Sequence, residues 1–357
     1  MKRLLILFFL LSPFLGVTQK KDTLAFKPNI VGVPILFYGP ETRLGFGAAG
    51  FFTFKLNKFD TVSRPSQINL GGAYTLEKQV LSYASFDLWT TSNNYNITGE
   101  IGYYRYFYDF WGVGTEPKKI ERYSLIYPRL RLEAVRKIFT GLYAGVKYTF
   151  DDFDITEREE GGRLIQNLYP GTKGGTISGL GGIVKYDTRN NNFYPTNGYK
   201  LLASFERFDK IIGSDFNYNL TWINLIRYFD LKKDKVIAAN IYGRFSQGSI
   251  PFFHMSQIGG NKRMRGYYEG YHRDKQMIGW QVEYRMPVIW RLGFVAFAGN
   301  AIVSETISKF AIQNTKTTIG TGIRFKLDKE RNVNLRIDYG YSSDNTSGFY
   351  LTIGEAF

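Results

Sequence analysis

A charged face and an apolar face alternate residue by residue along this chain, and no other feature restricts its fold so tightly. In NVNLRIDYGYSS, Val333, Leu335, Ile337, Tyr339 and Tyr341 interleave with Asn334, Arg336, Asp338, Gly340 and Ser342. Successive side chains of a strand point to opposite faces, so this period of two is a strand signature. GWQVEYRM divides in the same way, with Trp280, Val282, Tyr284 and Met286 opposing Gly279, Gln281, Glu283 and Arg285. LYAGVKYTF sets Leu142, Ala144, Val146, Tyr148 and Phe150 against Tyr143, Gly145, Lys147, Thr149 and Asp151. A soluble sandwich would alternate too, with its charged face in water. Length and strand ends separate the two cases. The runs commonly reach about ten residues or more, enough for a tilted crossing of hydrocarbon, and aromatics crowd their ends as interfacial girdles do. YYRYFYDFW, residues 103–111, is the densest such cluster. An Arg facing lipid near the midplane would cost about 2–4 kcal/mol. Several together would exceed a typical folding stability of about 5–15 kcal/mol. The charged face is therefore expected to line a lumen, which predicts an all-β, transmembrane, antiparallel β-barrel.

The start of the chain fits export. MKRLLILFFLLSPFLGVTQKKD places Lys2 and Arg3 ahead of an apolar run, Leu4 to Leu15, that is too short to span a bilayer as a helix. Residues 1–19 are expected to be a secretory signal peptide, 20–28 a short periplasmic lead, and 29–357 the barrel. No periplasmic domain is expected before Asn29. There is no cysteine, which excludes a disulfide scaffold and a thiolate metal site. The 26 Tyr, 30 Phe and 38 Gly suit aromatic-rich strands joined by glycine turns. A net charge of +15 raises nucleic acid as a partner, but the cations are spread over all the strands instead of gathered on one face. No nucleic-acid partner is expected. Basic outer loops suit a leaflet of phosphorylated lipid, lipopolysaccharide included.

About sixteen strand-like runs lie between Asn29 and Phe357, and an even count puts both ends of the barrel on the periplasmic side. Connections should then alternate between short and long. KKDK (232–235), PVIW (287–290) and LDKER (327–331) are tight, whereas 153–176 and 248–276 are long. The longest lies outside, between the eleventh and twelfth runs. It contains IGGNKRMRGYYEGYHRDKQM, where Lys262, Arg263, Arg265 and Arg273 stand among glycines and tyrosines.

Several motifs, in order, carry a family resemblance. They are LFYGPETRLGFGAAG (36–50), FWGVG (110–114), DTRNNNFYPTNGYKL (187–201), GGNKRMRGY (259–267) and YLTIGEAF (350–357). Together they resemble the BamA/TamA family of outer-membrane assembly barrels, the bacterial surface antigen family, over about residues 28–357. The resemblance implies a sixteen-stranded barrel whose sixth outer loop folds back into the lumen, with loop glycines Gly259 and Gly260 and an Arg265-Gly266-Tyr267 signature. A guanidinium tucked into a narrow lumen needs a carboxylate, and the planar fork of Arg suits one. Glu283, on the inward face of the next strand, is the candidate partner in a loop lock. The family often supplies a second carboxylate on strand thirteen, where this chain has Phe297.

Asp187, Arg189, Pro195 and Gly198 mark a periplasmic turn. Pro34 removes a ladder donor from the first strand, while Gly354 weakens the last, which closes on the aromatic Phe357. These residues either make the seam between the first and last strands the easiest place to open or only bend the sheet. The two histidines, His254 and His272, both sit in the long loop and show no third orienting group, so no enzyme, metal or cofactor is expected. The expected role is to assist insertion or translocation of other proteins at the outer membrane, with client barrels and a separate periplasmic partner. The alternative is a passive channel or structural barrel.

Overall fold

The computed structural model describes residues 25–116, 119–328 and 332–357. The signal segment, 1–19, lies outside the described residues, as does most of the lead. The strands are β1 (Asn29–Gly39), β2 (Arg43–Phe54), β3 (Ser66–Thr75), β4 (Val80–Trp89), β5 (Tyr95–Phe110), β6 (Glu121–Phe139), β7 (Leu142–Arg158), β8 (Gly174–Asp187) and β9 (Gly198–Phe208), followed by β10 (Tyr218–Asp230) and β11 (Val236–Gly248). After a short ribbon, β12 (Ser256–Ile258) and β13 (His272–Asp274), the chain resumes with β14 (Gln276–Ile289), β15 (Leu292–Ser304), β16 (Lys316–Asp328), β17 (Val333–Ser342) and β18 (Ser347–Ile353). All but β12 and β13 form one closed antiparallel barrel of sixteen strands, β11 pairing directly with β14 and β18 with β1. Closure satisfies the backbone groups that an open sheet would leave bare in lipid.

The two faces fall as the alternation requires. Leu70, Ile101, Val146, Ile241, Trp280, Ile319 and Tyr339 are exposed on the outer surface, while Asp151, Gln281, Glu283, Arg285, Arg336 and Asp338 are buried inside. Inside, opposite charges pair between adjacent strands and across one intervening strand. Arg129 donates to Asp151 at 2.9 Å, Lys147 meets Glu206 at 2.8 Å and Lys185 meets Glu133 at 2.5 Å. No helix among the described residues is long and apolar enough to cross a membrane.

Two features differ from the sequence reading. The aromatic run 103–111 is not simply a girdle, because period two splits it. Tyr103 is exposed on the outside, whereas Tyr104, Phe110 and Trp111 are buried. Tyr104, Tyr106, Tyr108 and Tyr123 instead stack in succession along the lumen side of β5 and β6. The last strand also ends early, at Ile353. Gly354 takes φ +89°, a conformation open to glycine, and residues 355–357 turn inward instead of continuing the ladder. Gly354 and Phe357 therefore belong to a turn and a tail, and neither belongs to the strand.

The barrel is uneven. From Tyr95 to Phe110, every residue of β5 has a register partner on β6. Between β1 and β18 there is one register pair, Tyr38 with Leu351. Pro34 pairs with Ala48 of β2 and has no counterpart on β18.

Candidate functional site

The connection from β11 to β14 enters the lumen as a ribbon, with Ser256 paired to Asp274 and Ile258 to His272. Beyond Ile258, Gly259 and Gly260 both take positive φ, and the amide of Gly260 donates to the carbonyl of Tyr267 at 3.1 Å, closing the tip. Tyr267 packs beside Tyr242, Ile258, Met264, Met277 and Val303 in an apolar cluster against the wall. Its hydroxyl lies 2.9 Å from Ser343 Oγ.

Arg265 is 1% exposed. Its guanidinium bonds Glu283 of β14 through one nitrogen and Asp338 of β17 through the other. Phe297 of β15 lies flat beneath it, its ring centroid 3.6 Å from the guanidinium carbon. The strand-thirteen position thus supplies a π face, which attracts a cation without adding charge. The second carboxylate comes from β17. Thr318 Oγ1 donates to the carbonyl of Arg265, Thr346 Oγ1 to that of Gly266 at 2.7 Å, and the amide of Gly266 to Tyr350 Oη at 3.0 Å. Gly266 has φ +114°, and a Cβ there would lie 2.9 Å from the amide nitrogen of Tyr341. A Cβ on Gly340 would lie 2.4 Å from the Arg265 carbonyl oxygen. Two glycines back to back let the loop backbone touch the wall.

Around this contact the charges form one dry network. Arg285 Nε donates to Glu283 at 2.9 Å, Arg324 Nη1 to Asp338 at 2.6 Å, and Arg336 Nη1 lies 3.5 Å from Asp338. The network runs on to the tail. Glu355 accepts from Arg324 Nε at 2.8 Å and Asn334 Nδ2 at 2.7 Å, and Arg285 Nη2 donates to the Phe357 carbonyl at 2.8 Å. The sequence reading places Asp338 on the charged face but gives it no part in the lock, and it singles out none of Tyr350, Thr318, Thr346 and Gly340. The position of Asp338 on the inward face of NVNLRIDYGYSS was the available signal.

The other singled-out residues lie elsewhere. Arg189 grips Asp187 with two bonds, 2.9 and 2.8 Å, in the β8–β9 turn, where Pro195 is buried and Gly198 has φ +105°. His254 Nδ1 is 2.6 Å from Tyr218 Oη, and burial near Arg244 holds its pKa well below the usual imidazole value. His272 Nε2 is 2.6 Å from Asp344, and burial together with Lys316 lowers its pKa to about 4. The histidines thus sit apart with different partners. No group of three His, Asp or Glu side chains suited to a metal occurs among the described residues. At the outer end, the Glu269 amide donates to Glu41 Oε1 at 2.8 Å. This contact borders a cavity of about 60 Å³ that is also lined by Arg43, Glu77, Asp109 and Arg122. Burial, with Glu269 close by, raises the Glu41 carboxyl to about 7.

A closed sixteen-stranded barrel with an arginine-tipped loop seated inside invites comparison with known proteins, and residues 34–357 match the Omp85 superfamily domain. The chain belongs to the Omp85 superfamily. As an Omp85 barrel it is an outer-membrane protein. Its fold is similar to that of BamA from Haemophilus ducreyi lacking POTRA domains 1-3, at 15% identity and TM-score 0.62, over 92% of this chain and 70% of that one. It is also similar to CdiB from Acinetobacter baumannii (12% identity, TM-score 0.57, 92% and 65% of the two chains) and to CdiB from Escherichia coli (9%, 0.58, 91% and 62%). The chain thus spans under two thirds of either CdiB chain. No curated protein sequence matches it.

Proposed function

We propose that this Omp85 barrel assists insertion or translocation of other polypeptides at the outer membrane through the β1–β18 seam, without catalysis or a cofactor. We further propose that Arg265, Gly266, Tyr267 and Glu283 lock the inward loop. One observation carries the reading: the seam has a single register pair while β5 pairs with β6 along its whole length. Unpaired strand edges template another strand, and in lipid the need for a partner is acute. Pro34 removes one donor from that edge. Client barrels and a separate periplasmic partner complete the reading, and basic outer loops contact lipopolysaccharide phosphates.

The chain has no cysteine, so Tyr38→Cys with Leu351→Cys can clamp the seam without competing thiols. Depletion of the protein should lower the levels of other surface barrels. Cells carrying the reduced double variant should restore them and cells carrying the oxidised form should not. Full rescue by the oxidised form would overturn the seam reading. Current through the wild type should be small and should rise in Arg265→Ala. An open wild type would mark a passive channel instead.

A further inference from the structure

The tail after β18 is held as a ligand is held. Glu355 is almost fully buried, with Asn334 Nδ2 on one carboxylate oxygen at 2.7 Å and Arg324 Nε on the other at 2.8 Å. Arg285 donates to the Phe357 carbonyl at 2.8 Å, and its guanidinium carbon lies 5.4 Å from the Phe357 ring centroid. That ring packs on a cluster of Ile226, Tyr228, Val236 and Ala238 of β10 and β11, with Tyr194 beside it. The tail therefore leaves β18 and crosses to strands far from its own ladder neighbours. Three kinds of grip recur: two donors on a carboxylate, a donor on a backbone carbonyl and an apolar seat for an aromatic ring. Specific peptide sites combine such elements.

Charge makes the seat a receptor as well as a resting place. Arg265, Arg285, Arg324 and Arg336 surround Glu283, Asp338 and Glu355. With Glu355 withdrawn, four guanidiniums face two carboxylates in a dry setting. Even with Glu355 in place, Arg285 Nη1 and Arg324 Nη2 are buried without a hydrogen-bond partner among the described residues. Buried cations with free donors demand an anion.

We propose that this lumen seat is a binding site for a peptide segment carrying an acidic side chain two residues ahead of an aromatic one, and that Gly354–Phe357 occupies it in cis. A tethered ligand competes at an effective concentration in the millimolar range, so a segment in trans gains the seat only when the tail is loosened. The contacts that carry this site are independent of the seam, and its test requires no assembly activity.

The test uses the full-length chain in detergent and fluorescently labelled Gly-Glu-Ala-Phe, too short to add a strand to β1. Glu355→Gln with Phe357→Ala should raise affinity for the peptide at least tenfold over the unmodified chain. Adding Arg324→Met should reverse that gain, and a Gly-Gln-Ala-Ala control should bind at least tenfold more weakly. In the unmodified chain, saturating Gly-Glu-Ala-Phe should speed amide exchange at Gly354–Phe357, a readout that survives if the double variant does not fold. A folded double variant that binds neither peptide, or both equally, overturns the proposal. So does tail exchange that saturating peptide leaves unchanged.

Discussion

The β5–β7 wall and the β14–β1 side of the same barrel are held together by different means. On the wall, β5 and β6 pair along the full length of β5, and the lumen charges find partners one or two strands away: Lys147 reaches Glu206, and Arg129 and Arg131 meet Asp151. Those two guanidiniums remain about a quarter exposed. On the other side the ladder thins to one pair at the seam, and the charges are dry, meeting a loop and a tail that arrive from distant parts of the chain. These dry bonds do not bridge the seam itself; they tie the loop and the tail to β14, β16 and β17. Such bonds are strong while complete and costly when broken.

The sharpest way to break the comparison is to remove one carboxylate from each side. Glu283→Ala takes one carboxylate from both Arg265 and Arg285 in a dry site and should cost about 3–5 kcal/mol. Asp151→Ala leaves arginines that water reaches and should cost about 1–3 kcal/mol. Denaturant unfolding of the two variants in detergent measures both, and equal losses would dissolve the distinction. Next in size, Gly266→Ala places a Cβ against Tyr341 at a positive φ and should weaken loop seating by about 1–3 kcal/mol, read as faster proteolysis between residues 259 and 271. Amide exchange sharpens the contrast directly. Amides of β1 from Val31 to Phe37, apart from Pro34, should exchange well before those of β5.

The smallest effect concerns the outer rim. Glu41 is held up to about 7 from an ordinary 4.5, so its neutral form is favoured in the folded protein. A raised carboxyl contributes stability at acid pH and loses it as pH climbs from about 4.5 to about 7. The protection factor of the Glu269 amide should fall over that window, and Glu41→Gln should hold it level.

Much of this architecture was legible in the residues. Alternation in GWQVEYRM and NVNLRIDYGYSS correctly assigned Glu283, Arg285, Arg336 and Asp338 to the interior, because a strand has only two faces and lipid rejects charge. The same rule, applied strictly, would have divided 103–111 into an outer Tyr103 and an inner Tyr104. Gly259, Gly260 and Gly266 marked the loop as tightly bent.

By itself the sequence determined the strand period, which face met lipid and where the chain turned, since these depend on neighbours one or two residues apart. Only the tertiary structure decided that Asp338 shares Arg265 with Glu283, that Phe297 offers a ring in place of a carboxylate, and that residues 355–357 cross the lumen. Those outcomes depend on the distance between strands remote in the chain once the barrel has closed, and no local pattern encodes that distance.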